Sequence, residues 1–326
     1  MSRTLRANLL LLLTAAIWGS AFVAQRLGAE DTGPASFNAV RNLLGAVALI
    51  PAVAGFDRAG RVDRAQRRSR WQAALWPGAL AGAVLTGGTL LQQAGLGYTT
   101  AGNASFITGL YLVFIPLATL VVPRARTSNW TWVGAVLAVT GLYLLSIRDG
   151  LHINQGDLLV LICSLFWTGH ILVIDRVGRR QDPLRLCVVQ FATCCMLSAL
   201  LAPLVDEHPF AGLVGAAAPL AYTAFLSTGV GFTLQVVAQR DAKAAHAAII
   251  MSLETVFGAV SGALWLGERM DLRGIIGCAL MLAAVIVAQL GNLPEAVPPQ
   301  PRNSHPTHPL TDHHSEEVDF VRSQPR

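Results

Sequence analysis

The chain has 326 residues and a formal net charge of +5, with 53% hydrophobic residues and only 13% charged ones. Ordinary soluble proteins carry about a quarter charged residues, so composition excludes a pair of soluble domains. The surplus arginines sit in short connections without an aromatic-rich basic face, which argues against nucleic acid as a partner.

Met1–Arg6 followed by a leucine run imitates a secretory signal, yet the apolar stretch behind it reaches spanning length and reads as a first helix. Crossing a hydrocarbon core takes roughly twenty mainly apolar residues. Segments of that kind are predicted over Asn8–Leu27, Ala35–Gly55, Gln72–Leu96, Ala101–Val122, Trp130–Ile147, Asp157–Val177, Leu184–Val205, Gly215–Gln239, Ala245–Leu266 and Leu272–Leu290. They lack period-two alternation and are rich in Ala, Leu and Gly, so they predict close-packed helices and not barrel strands. If the N-terminus is cytoplasmic, that side holds Arg58, Arg61, Arg64, Arg67, Arg68, Arg70, Arg124, Arg126, Arg176, Arg179, Arg180, Arg185, Arg240 and Lys243. The other side holds Arg26, Arg148, Arg269 and Arg273, and this asymmetry predicts both termini in the cytoplasm. Residues 292–326 turn to Pro, His, Ser and acids and predict a disordered cytoplasmic tail. Its His305, His308, His313 and His314 lack the framework of a closed metal site. The five cysteines fall in apolar segments without metal-ligand spacing.

Self-comparison divides the chain in two. A shift of 143 positions brings Gly88, Leu91 and Gln92 onto Gly231, Leu234 and Gln235, and Tyr111 onto Glu254. Nearer the start of each half a second spacing pairs Trp18 with Trp167, Pro34 with Pro183 and Val40 with Val189. Five spans per half is an odd number, so the second half enters the membrane from the other side. The expected fold is therefore all-α and integral to the membrane. Ten transmembrane helices form two inverted-topology five-helix repeats, residues 1–149 and 150–291.

At these residues the chain resembles the EamA-type transporters of the drug/metabolite transporter superfamily. Trp18-Gly19-Ser20-Ala21-Phe22 is similar to the family's first-helix motif, Arg41-Asn42-Leu43-Leu44 to its second-helix arginine, and Tyr98 to Ser105 to its third-to-fourth helix turn. Ser252 to Phe257 and Leu266-Gly267-Glu268-Arg269 resemble its ninth-helix signature. Two places depart from the pattern. Thr255 stands where proline is frequent, which predicts a straighter ninth helix, and Pro123-Arg124 replaces a Gly-Glu at a cytoplasmic helix end. The resemblance implies export or facilitated movement of amino acids or other small metabolites across a bacterial inner membrane.

Ionisable groups inside a span cost roughly 2.5–3.5 kcal/mol on insertion scales, so each needs a reason. Glu254, near midplane, is either a partner for a substrate amine or proton, or a helix-to-helix hydrogen-bonding group. Arg41 either attracts a carboxylate bidentately or snorkels to the interface. His170 aligns with Ala21, and that asymmetry suits a substrate-specific feature as well as a buried structural histidine; His246 is expected at the interface. Trp18 and Trp167 fall mid-span, where they serve as cavity walls or plain packing. Gln92 and Gln235 are expected to bond between helices, and Asn38, Asn103, Ser105, Thr108 and Tyr111 to complete a polar cavity. There is no phosphate loop, no zinc-hydrolase motif and no catalytic set, so neither cofactor nor metal is expected and a lipid-directed membrane enzyme is the weaker reading. The expected partners are a small-molecule substrate and the lipid bilayer, with room for a homodimer.

Overall fold

The computed structural model describes residues 2–99, 104, 107–120, 128–146, 154–265 and 271–290. Asn103, Ser105, the Leu266–Arg269 motif, Pro123-Arg124 and the tail lie outside the described residues. Among those described, every regular element is helical: α1 (Arg3–Asp31), α2 (Pro34–Ala59), α3 (Arg64–Gly95), α4 (Tyr111–Leu120), α5 (Asn129–Ser146), α6 (Gln155–Val177), α7 (Pro183–Val205), α8 (Ala217–Ala238), α9 (Ala244–Trp265) and α10 (Leu272–Leu290). Seven of them, α1–α3 and α6–α9, are long and apolar enough to cross a bilayer; Ile107–Ala118 and Leu272–Val287 are shorter apolar helices. Large apolar side chains such as Val47, Ile50, Leu200 and Leu204 stay exposed on outward faces, where lipid is the fitting solvent.

Helix starts follow from capping chemistry. Asp63 Oδ1 accepts from the Gln66 amide at 2.7 Å, so α3 begins in the arginine-rich turn, eight residues before its apolar stretch. Asn154 and Asp157 form a reciprocal capping box at the start of α6, and Thr99, just past the end of α3, donates to the same Asp157 at 2.5 Å. Pro34 and Pro183 occupy first-turn positions, where a missing N–H costs nothing.

Helix ends sort into two groups. The start of α1, the α2–α3 and α6–α7 turns and the α8–α9 turn lie at one end, linked by Asp57–Arg185, by Arg240 onto the Gly178 and Gln181 carbonyls, and by His246–Asn8. This is the basic end. The α1–α2 turn, the end of α3, the start of α6 and the α7–α8 connection lie at the opposite end, joined by Thr32–Ala211, Asp206–Ser36 and Thr99–Asp157. Helix α2 packs along α7, α3 along α6 and α7, α5 along α10, and α1 against α8 and α9.

Two helices depart from regular winding. Tyr222–Phe232 of α8 is π-helical. Helix α9 is interrupted at Ser252–Leu253, just before Thr255. Ser252 Oγ donates back to the Ile249 carbonyl at 2.8 Å, and Leu253 and Thr255 bond three residues back instead of four; this tightening interrupts the α-winding without a proline. Glu254 thus opens the second part of α9. There α1 comes so close that a Cβ on Gly19 would overlap the Glu254 carbonyl.

Candidate functional site

Two large apolar clusters fill most of the interior, one built mainly from α1, α4, α5, α9 and α10, the other from α2, α3, α7 and α8, and a small third one gathers around Phe37. Trp18 and Trp167 pack against both. Their ring centroids are 6.0 Å apart, and Phe232 completes the group, 4.7 Å from Trp18 and stacked at 5.9 Å on Trp167. This trio forms the floor of a pocket with about 510 Å³ of unoccupied space, part of it open to the outside. The remaining lining is Phe22, Gln25, Arg41, Thr89, Gln92, Thr108, Tyr111, Ile171, Ser227 and Glu254.

The two ionisable residues are held at depth by different means. Arg41 is 4% exposed and does not snorkel. Its Nε donates to Asn38 Oδ1 at 3.0 Å and Nη1 to Gln25 Oε1 at 3.3 Å, while its guanidinium lies 5.9 Å from the Phe37 ring centre. Asn38 is fixed in turn by donating to Thr89 and Ser198 at 2.9 and 2.8 Å. Among the described residues no carboxylate pairs with Arg41. Its neutral partners orient the guanidinium without cancelling its charge. Glu254, 6% exposed, accepts a long hydrogen bond from Tyr111 Oη at 3.4 Å. Arg41 and Glu254 are not ion-paired with each other, yet they line the same space. A guanidinium, a carboxylate and three aromatic faces around one hollow suit a small molecule carrying both charges and an apolar body.

The structure brings Trp18, Trp167, Arg41, Tyr111 and Glu254 together, with Thr108 and Gln92. His170 does not join them. It sits behind the floor, fully buried, edge-on to Trp167 and Phe232, with Nε2 3.1 Å from Gln190 Oε1. His246 is buried as well, in the first turn of α9 at the basic end, bonding Asn8 across to α1 at 3.0 Å. Gln92 bonds between helices, accepting from Trp167 Nε1 at 2.9 Å. Gln235 does not: among the described residues neither of its amide atoms has a partner.

Sequence reasoning missed Phe22, Gln25, Thr89, Ile171, Ser227 and Phe232 as lining. Gln25 carried a signal, an amide one helical turn from Trp18's motif, but it stood two residues before the expected end of α1 at Leu27. It also missed the carboxylate clamps flanking the site. Asp57, at the C-terminal end of α2, pairs with Arg185 in the first turn of α7 at 2.5 Å, and Asp206, capping the end of α7, accepts from Ala35 N, Ser36 N and Ser36 Oγ in the first turn of α2. The spacing that relates Trp18 to Trp167 also relates Asp57 to Asp206 and Ser36 to Arg185, so the signal was present in the repeat.

Comparison with known proteins agrees with this architecture. The sequence profile described as the EamA-like transporter family matches twice, over residues 5–147 and 154–289. An uncharacterized transporter of Archaeoglobus fulgidus is 32% identical over 288 residues, covering 88% of this chain and 87% of its own. A probable terminal-alkyne amino-acid exporter of Streptantibioticus cattleyicolor is 27% identical, covering 89% of this chain and 96% of its own. The threonine/homoserine exporter RhtA of Escherichia coli is 29% identical over 54% of this chain and 58% of its own. A crystal structure superposes with a TM-score of 0.69 at 17% identity, over 88% of this chain and 97% of that one, a likeness of fold alone.

Proposed function

The chain belongs to the EamA-like transporter family and is a multi-pass membrane transporter; from that premise we propose that it exports small zwitterionic metabolites, amino acids or close relatives, by alternating access around the aromatic-floored pocket. It does so without chemistry on the substrate and without a cofactor. The observation that carries this reading is the pair of buried, mutually unpaired charges facing one hollow: Arg41 for the carboxylate and Glu254 for the amine.

Ten crossings in two inverted five-helix repeats, residues 1–149 and 150–291, are part of the proposal, with both termini in the cytoplasm of a bacterial cell and the protein in its inner membrane. Two kinds of observation support the repeats. The family profile matches each half separately. Moreover, residues equivalent by the internal spacing meet each other: Trp18 with Trp167, and Tyr111 with Glu254. Two-fold related residues touch only near their axis, so an axis through the pocket accounts for both contacts. Such an axis is what lets the two halves exchange conformations and open a fixed site to alternate sides.

Purified protein in vesicles, loaded with a panel of labelled amino acids, tests this. Labelled amino acid is expected to leave unchanged and faster than from empty vesicles, and Glu254→Gln to slow that flux at least about tenfold, a change worth roughly 1.4 kcal/mol, with protein yield preserved. Flux indistinguishable from protein-free vesicles for the whole panel overturns the reading.

A further inference from the structure

The two tryptophans of the pocket floor occupy equivalent places but do not make equivalent bonds. Each lies over a glycine of the other half: Trp167 over Gly88 in α3, Trp18 over Gly231 in α8. One turn beyond each glycine stands a glutamine, Gln92 and Gln235, related by the same 143-residue spacing as the glycines. Trp167 Nε1 donates to Gln92 Oε1 at 2.9 Å. Trp18 Nε1 instead donates to the Ser227 carbonyl at 3.2 Å, and the Gln235 amide, fully buried, has both its oxygen and its nitrogen without a partner among the described residues. A buried amide in that condition is costly, and a native structure keeps one for a reason.

The pocket shows the same imbalance. Gln25, Arg41, Gln92 and Thr108 extend it toward the opposite end, whereas Gln235 and Met251, the equivalents of Gln92 and Thr108, are packed shut on the basic side. Helix α8 is π-wound over the stretch holding Ser227, while the equivalent stretch of α3 is α-helical; such windings concentrate where helices change shape. Helical side chains lean toward the N-terminus, which turns Gln235 toward the preceding turn that holds Gly231, the glycine against which the Trp18 indole lies.

Resting on the alternating-access reading above, we infer that Gln235 is the alternate acceptor for Trp18. When the pocket opens toward the basic end, Trp18 leaves Ser227 for Gln235 and Trp167 releases Gln92. The two Trp–Gln bonds are reciprocal latches, one closed in each state, and Gln235 is a positioning residue that acts through Trp18.

The test uses full-length protein in lipid nanodiscs with its native cysteines replaced, carrying either Thr108→Cys or Met251→Cys as a reporter. A small charged methanethiosulfonate reads how open each side is. Gln235→Met is expected to lower the reaction rate at position 251 relative to position 108 by about fivefold, the shift one ordinary hydrogen bond sustains. Gln92→Met is expected to move the ratio the other way. Gln235→Asn, still an amide but one methylene shorter, should act like Gln235→Met and guards against a misfolded methionine variant. Gln235→Glu keeps an acceptor and should hold the ratio within about twofold of the parent. If the Gln235 and Gln92 variants shift the ratio the same way or not at all, the latch is wrong while alternating access stands. If the parent reacts at position 108 and never at position 251, with or without amino acids, alternating access itself fails and the latch with it.

Discussion

Along the α2–α7 seam, the equivalent residues Asp57 and Asp206 do the same work, each closing one end of an antiparallel helix pair. In the pocket beside that seam, the residues at the same spacing have parted. Arg41 faces the hollow, whereas its counterpart Gln190 turns away to hold His170. The seam has a physical reason to stay symmetric. A carboxylate at a helix C-terminus sits against the unfavourable end of the dipole, and it is rescued by the N-terminal turn of an antiparallel neighbour. That solution works at both ends. A pocket that takes an asymmetric molecule, as proposed above, gains when equivalent positions differ, as Tyr111 and Glu254 also do. Asp57 and Asp206 agree and hold the bundle, whereas Arg41 and Gln190, or Tyr111 and Glu254, differ where one or both face the pocket.

Breaking the seam should have the largest effect. Asp57→Ala takes from Arg185, 1% exposed, its buried carboxylate and leaves it Asp182 at 2.7 Å and the Trp71 ring, and it also unpairs Arg67; with one partner remaining, the cost is expected at about 3 kcal/mol, the low end for a broken buried pair. Thermal unfolding in detergent should show a steep loss, and replacing Asp57 and Arg185 together by Leu and Met should recover most of it. Asp206→Ala removes three hydrogen bonds at the other end but strands no charge, so about 2 kcal/mol is expected in the same measurement. Equal losses at the two ends would mean that the Arg185 charge carries no special weight.

Arg41→Gln gives α2 the residue that α7 already carries at the equivalent position, and it sharpens the contrast from the pocket side. Flux through reconstituted vesicles should fall at least about tenfold. Unfolding should move far less than for Asp57→Ala, because Asn38 keeps a donor in Asn42, whose Nδ2 lies 3.1 Å from Asn38 Oδ1. A variant that unfolds early and transports normally when folded would make Arg41 a seam residue and not a pocket one.

Much of this was legible in the chain. Apolar run length placed the long helices, and the cost of ionisable groups in hydrocarbon singled out Arg41 and Glu254, both of which line the pocket. Local backbone chemistry was harder. Nothing in Tyr222–Phe232 announces π-winding, and the break in α9 comes from Ser252 bonding its own helix, not from the proline that pattern reading looked for. Rotation about a helix axis was harder still. His170 lies three residues after Trp167, which turns it about 60° away from the same face, enough to place it behind the floor. Gln25 escaped because α1 continues to Asp31, deeper than its apolar run suggests.

The mildest test sets the two halves against each other with a single methyl group. A Cβ on Gly231 would stand 2.6 Å from Trp18 Nε1, whereas one on Gly88 would stand 3.5 Å from the nearest atom of Trp167, an ordinary contact. Gly231→Ala must therefore push the indole off its seat and stretch its bond to Ser227. Because a side chain and not backbone has to give, the cost should be about 1 kcal/mol, at the low end for overpacking. Gly88→Ala should stay within about 0.5 kcal/mol of the parent. Tryptophan fluorescence followed through thermal unfolding resolves the difference. If the two alanines behaved alike, the floor would be more symmetric than Trp18 and Trp167 make it, and the pocket would lose the asymmetry that sets it apart from the α2–α7 seam.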